Sequence, residues 1–134
     1  MAENVEIEAG RIGKVVYARM APNEDLVQGI EKICMAQGLR HALLRSGLGS
    51  LVDACLDLPD GQRHPVMGPA VEVLSLFGEV RTQADGIVQT LRADVSAVVV
   101  DAAGRVTSGV LVSGANPVFA TFEVTLEEWL PAAA

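Results

Sequence analysis

The sequence predicts an α+β fold: a mostly antiparallel twisted sheet of six or seven strands packed on one main helix, within a single domain. Three observations lead there. Only one segment, Asn23 to Gly38, carries helical periodicity together with end signals. From residue 40 onward the chain reads as β-rich runs separated by turn residues such as Asp60-Gly61 and Asp85-Gly86. At 134 residues it is long enough for one core and too short for two.

Residues 1–14 read as a loose N-terminal arm, residues 15–126 as the domain and residues 127–134 as a tail. Val15 to Met20 gives the first strand. Asn23 is the expected cap of the helix, with Glu24 and Asp25 favourable at its positive end and Gly38 closing it. Leu26, Val27, Ile30, Ile33 and Cys34 form one apolar stripe, so this helix packs on a sheet. Strands are expected at 41–46, 51–58, 71–78, 87–100, 106–112 and 118–126. Asp101-Ala102-Ala103-Gly104 suits a three-residue loop with Gly104 in the left-handed conformation. In that register Asp101 faces Arg105, Ser96 faces Val110 and Asp94 faces Val112, so Asp94, Ser96 and Val110 share one face.

The strand Val71 to Gly78 reads as mostly buried, yet it holds Glu72 and Ser75. A buried carboxylate or hydroxyl is costly unless partnered. Glu72 is therefore either a structural anchor or one wall of a pocket, and Arg19, Arg45 and Arg92 are its possible partners.

Half of the residues are hydrophobic and the mean hydropathy is +0.34, high for a small domain, which points to a subunit interface. The net charge of −7 opposes nucleic-acid binding, which draws its affinity from neutralising phosphates. Cys34 and Cys55 lack disulfide or metal spacing, and Cys34 falls on the helix's apolar stripe. His41 and His64 stand at no ligand spacing. The N-terminus lacks the regions of a signal peptide, and the longest uncharged run is too polar and short for a membrane span, so a cytoplasmic location is expected.

The capped helix, Ser46-Gly47-Leu48-Gly49-Ser50, the Gly68-Pro69 to Gly78 strand with Glu72, Ser75, Leu76 and Gly78, and the Asp101 to Val106 turn occur in a recognisable order. Together with the final Phe122-Glu123-Val124 strand, they resemble the plants-and-prokaryotes-conserved (PPC) domain from about Val15 to Leu126. The resemblance implies a trimer. It also brings an association with DNA, because plant members join the domain to AT-hooks. This chain has no such hook: Gly10-Arg11-Ile12-Gly13-Lys14 lacks the proline and the second arginine.

Prokaryotic members of that family typically carry H-x-H before the turn and a third histidine after it. Those places are Asp94, Ser96 and Val110 in this chain, so no metal and no cofactor is expected. The leading expectation is a homotrimeric binding or assembly module without enzymatic activity. The alternative is metal-free acid–base chemistry on, or binding of, a small anionic metabolite at the subunit interface. Arg19, Glu72, Ser75, Asp94 and Ser96 would line that pocket. A DNA-binding role is the second alternative.

Overall fold

The computed structural model describes residues 4–133. Eight strands and one helix follow in the order β1 (Gly10–Met20), α1 (Leu26–Gln37), β2 (His41–Leu51), β3 (Ala54–Asp57), β4 (Arg63–Val66), β5 (Val71–Asp85), β6 (Val88–Val100), β7 (Val106–Leu111) and β8 (Val118–Pro131). The strands form one sheet, ordered β1-β8-β2-β5-β6-β7-β3-β4, and every pairing is antiparallel. The class is as expected, with eight strands in place of six or seven.

The helix ends have clear local causes. Ala21-Pro22-Asn23-Glu24 forms a turn closed by Glu24 N–H to Ala21 O at 3.3 Å, with Asn23 at φ 69°. Proline then asparagine at the two central positions is the type II pattern. Asn23 is thus spent on the turn, and Asp25 rather than Asn23 caps α1, its Oδ2 accepting the Gln28 N–H at 2.9 Å. At the other end Gly38, at φ 69°, donates to Met35 O while Leu39 donates to Cys34 O, the paired bonds of a Schellman stop.

One face of the sheet and the apolar stripe of α1 make the core. Leu26, Val27, Ile30 and Cys34 of the helix are buried, as are Leu44, Val71, Leu76, Val95, Phe122 and Leu126 of the sheet. Among the described residues no layer covers the opposite, outer face of the sheet.

The strands run further than their apolar cores suggest. β1 pairs with β8 from Gly10↔Pro131 to Met20↔Phe122, so the sheet takes in residues expected to be arm and tail. β5 and β6 pair along a long ribbon from Glu72↔Val100 to Asp85↔Val88. The expected strand over 51–58 divides: Leu51 ends β2, and β3 restarts at Ala54 beside the short edge strand β4. Pro65 is tolerated there because β4 pairs on one side only.

Candidate functional site

The outer face is built by the period-two alternation of the strands. Val71, Val73, Leu76 and Val80 of β5 point into the core, which sends Glu72, Leu74, Ser75 and Phe77 outward. A bulge between Val73 and Ser75 puts Leu74 and Ser75 both on the exposed side. Glu72 and Ser75 are therefore not buried, which corrects the expectation that this strand is enclosed. The cause is that its apolar residues serve two surfaces: Leu74 stays 60% exposed, Phe77 55% and neighbouring Leu48 71%. Exposed apolar side chains grouped on neighbouring strands are a common feature of interaction surfaces.

All five predicted pocket residues belong to this outer side, but they do not meet. Arg19 lies on β1, and its Nη2 and Nε hold Glu123 Oε1 at 2.9 and 3.2 Å. Two strands, β8 and β2, separate β1 from β5, a span of about 14 Å at normal strand spacing. Arg45 pairs with Glu127 and Arg92 with Asp94, each at 3.3 Å, so none of the three expected cations partners Glu72. Tyr17, two residues before Arg19, completes the β1 cluster. The Glu123 carboxylate raises the Tyr17 phenol above its ordinary value, and the Tyr17 and Arg19 hydrogen bonds hold Glu123 below its own.

Ser96 falls opposite Val110 as the hairpin register expects, but the expected facing of Asp94 and Val112 does not form, because β7 turns from β6 to β3 and Val112 N–H donates to Cys55 O. Ser96 pairs with Val110 and Val100 with Val106, and the turn closes through Asp101 N–H to Arg105 O at 3.0 Å with Gly104 at φ 81°. Asp101 fastens it by accepting the Ala103 and Arg105 N–H groups at 2.9 Å each. The Arg105 backbone N–H is the main reason that the Asp101 carboxyl sits below its ordinary value. On the other side Ser96 faces Phe77 of β5, giving a row Phe77-Ser96-Val110 across three strands.

Two clefts open around this row. A shallow one of about 330 Å³ is lined by Asp57, Phe77, Ser96, Val98, Ser108 and Val110, and is mostly apolar. The second, about 610 Å³, lies where β6 and β7 part beyond the Ser96↔Val110 pair. Its lining includes Glu31, Asp57, Arg63, Arg92, Asp94 and Ser113. Glu72 and Arg19 line neither cleft.

The donors at the three resemblance-derived metal places are one carboxylate, one hydroxyl and one isopropyl group. A tetrahedral zinc site of three imidazoles cannot be assembled from them, since Val110 has no donor atom and a neutral hydroxyl is a poor ligand. Among the described residues no group of three His, Cys, Asp or Glu side chains is placed to hold a metal. His41 instead lies 3.1 Å from Glu79 Oε2, which Arg81 Nε also approaches at 3.0 Å. Burial pushes the Glu79 carboxyl up, but the Arg81 and His41 hydrogen bonds outweigh it and leave the group below its ordinary value. Cys34 is buried, and desolvation raises its thiol to about 11, which leaves it inert.

Sequence reasoning missed three features. The Asp57–Arg63 pair, 3.0 Å apart, sits beside both clefts, and its signal was the alternation of Arg63 with Pro65 on an unrecognised edge strand. The His41–Glu79–Arg81 group forms only through the long β2–β5 pairing. Asn116, fully buried, had no signal beyond its place before Pro117.

The fold is that of a small single-helix α+β module with a partly apolar outer sheet face and clefts beside it. The chain belongs to the Plants and Prokaryotes Conserved (PCC) domain family, whose model matches residues 7–130. A metal-containing protein from Archaeoglobus fulgidus superposes with a TM-score of 0.77 at 25% identity, covering 96% of this chain and 89% of that one. A plant- and prokaryote-conserved protein from Pyrococcus horikoshii gives a TM-score of 0.76 at 23% identity, covering 94% and 85%. In sequence, the bifunctional protein GlmU of Synechococcus sp. (strain JA-3-3Ab) is 31% identical over 117 residues, 87% of this chain. The chain spans only 17% of the length of that relative. No helix among the described residues is long and apolar enough to cross a membrane.

Proposed function

We propose that this protein is a metal-independent binding module that assembles as a homotrimer through its outer sheet face and holds a small metabolite in the clefts beside that face. The observation that carries the reading is the row Phe77-Ser96-Val110: two of the three places where the family's histidines are expected, Ser96 and Val110, lie in one row with exposed Phe77, near exposed Leu48 and Leu74. A covered strip of this kind removes apolar area from water, whereas a metal centre there would need donors that the row lacks. The 17% share of a longer bifunctional GlmU protein fits a module that works beside other domains.

The acid–base reading is weaker. It requires Arg19 to orient a carboxylate while Glu72 or Asp94 moves a proton, but Arg19 is held by Glu123, Glu72 lies three strands away, and Asp94 lies four strands away beside Arg92. DNA binding is weaker still. The net charge is −7, and seven of the ten Lys and Arg side chains already sit against a carboxylate.

Light scattering on the eluting protein, with elemental analysis of the same peak, tests the reading. The expected result is a mass near three times 14.1 kDa and far less than one transition metal per chain. A Phe77→Glu variant should lower that mass, because it sets a charge in the middle of the strip. A wild-type peak at one chain mass, or one zinc per chain, overturns the proposal.

A further inference from the structure

We infer that the fork between β6 and β7 is a binding site for a short free peptide of dipeptide size, recognised by its backbone and by both of its charged ends. This rests on the small-ligand part of the reading above and names the ligand class. The site opens from the end of the Phe77-Ser96-Val110 row and shares Val110 with it.

The floor of the fork is an unused strand edge. β6 pairs with β5 over its whole length, Val88 to Val100, but with β7 only from Ser96 to Val100. Among the described residues no strand pairs with the other side of Val88 to Asp94. Two bonds fix which groups point that way. The Ala93 N–H turns away from β5 and donates to Glu31 Oε2 of α1 at 2.9 Å. The Thr82 N–H, opposite Leu91, turns away from β6 and donates to Arg40 O at 3.1 Å. By the alternation of an antiparallel ladder, the N–H and C=O of Leu91 and the C=O of Ala93 then face the fork. An extended amide laid along β6 meets a complementary donor and acceptors there, as in strand addition.

The two banks carry matched charge. Arg92 and Asp94 pair along β6 at 3.3 Å, with side chains 63% and 60% exposed. Arg63 and Asp57 pair across β4 and β3 at 3.0 Å on the opposite bank. Exposed pairs of this kind contribute little to stability, so a ligand can exchange them at small cost. Each bank therefore offers a carboxylate for an ammonium or a guanidinium for a carboxylate. A ligand with one charge of each sign, separated by one amide, satisfies both banks at once. Two extended residues span roughly 7 Å, and about 610 Å³ accommodates them with room for side chains.

The probe is L-alanyl-L-alanine, titrated into the isotopically labelled protein and followed by amide chemical shifts. The expected result is saturable movement of the Leu91, Ala93, Val112 and Ser113 signals. Arg92→Gln and Asp94→Asn should each weaken binding about tenfold or more while leaving the thermal midpoint nearly unchanged. The same dipeptide acetylated and amidated at its ends should bind much more weakly. No saturable shift up to about 10 mM dipeptide overturns the inference, as does a response equal for the blocked dipeptide. Shifts confined to other regions also overturn it. Scattering on the same sample separates the two readings: a trimer that ignores the dipeptide defeats only the ligand class, whereas a single-chain mass defeats the module itself.

Discussion

Asn116 is the side chain whose loss should damage the fold most for its size. It is completely buried and bonds to β3, to the helix cap and to the residue after β7. Its Oδ1 accepts the Cys55 N–H at 2.8 Å, and its Nδ2 donates to Val112 O at 2.8 Å and Cys55 O at 3.3 Å. Its backbone N–H also meets Asp25, the cap of the helix, so one residue ties three elements. Asn116→Ala leaves a buried donor without a partner and weakens two carbonyls. At about 2 kcal/mol for the N–H and about 1 for the carbonyls, the loss is about 3 kcal/mol. Asn116→Leu keeps the volume but not the bonds, and should lose a similar amount. Asn116→Asp keeps one acceptor but adds a buried charge and removes the donor, and should be no better than alanine. Urea unfolding at fixed protein concentration measures this, and the thermal midpoint should fall by roughly 10 °C. A loss below about 1 kcal/mol in both the alanine and the leucine variants would refute the bond accounting.

Asp25→Ala removes the cap acceptor for Gln28 N–H and the acceptor for Asn116 N–H, and should cost about 2 kcal/mol in the same urea assay. Combined with Asn116→Ala it should cost less than the sum, since the two share a contact. Cys34, with its thiol raised to about 11, should resist iodoacetamide at pH 8 in the native protein and react once urea unfolds it, as peptide mass spectrometry would show. The Glu79 carboxyl is held below its ordinary value, so its contribution is fully present above pH 4.5 and lost as pH falls through the lower native value. Glu79→Gln should therefore flatten the acid limb of a stability–pH profile, and an unchanged limb would contradict that sign.

Local rules read the helix and the β6–β7 turn well. The stripe from Leu26 to Cys34 and the glycine at 38 act within a few residues, and so does the loop ending at Gly104. The cap failed for a local reason as well: Asn23 and Asp25 are both good capping residues, and only the turn at Ala21–Glu24 decides between them. Burial of Glu72 was misread because β5 is apolar on both faces over Val71 to Phe77, which erases the period-two contrast that tells inside from outside. Whereas β6 was expected over its whole length, the far half of β5 was missed because Arg81, Thr82 and Gln83 look like loop. Their strand state comes from the facing chain, not from their own propensity. The fork is a tertiary fact: β7 leaves β6 to pair with β3 at Leu56↔Leu111, and nothing in either strand announces the partner.

The misreading of Glu72 bears on the site, because the feature that hid its orientation is the feature that gives the outer face its character. A strand with apolar residues on both sides is wasteful in a sheet with one solvated face, where polar outward positions cost nothing. Leu48, Leu74 and Phe77 break that economy together on adjacent strands, and Val110 extends the break to β7 at a place where a histidine ligand is expected. Exchanging imidazole for isopropyl removes a metal donor and adds apolar surface in one substitution. The proposed subunit contact and the proposed loss of metal are then two consequences of the same residue. Val110→His is the variant that couples them. With Asp94, Ser96 and a new imidazole on one face, it should leave the site short of three strong ligands and so bind zinc poorly. It should also weaken the assembled state by interrupting the strip. A variant that gains stoichiometric zinc and keeps its assembly would show that the two properties are independent.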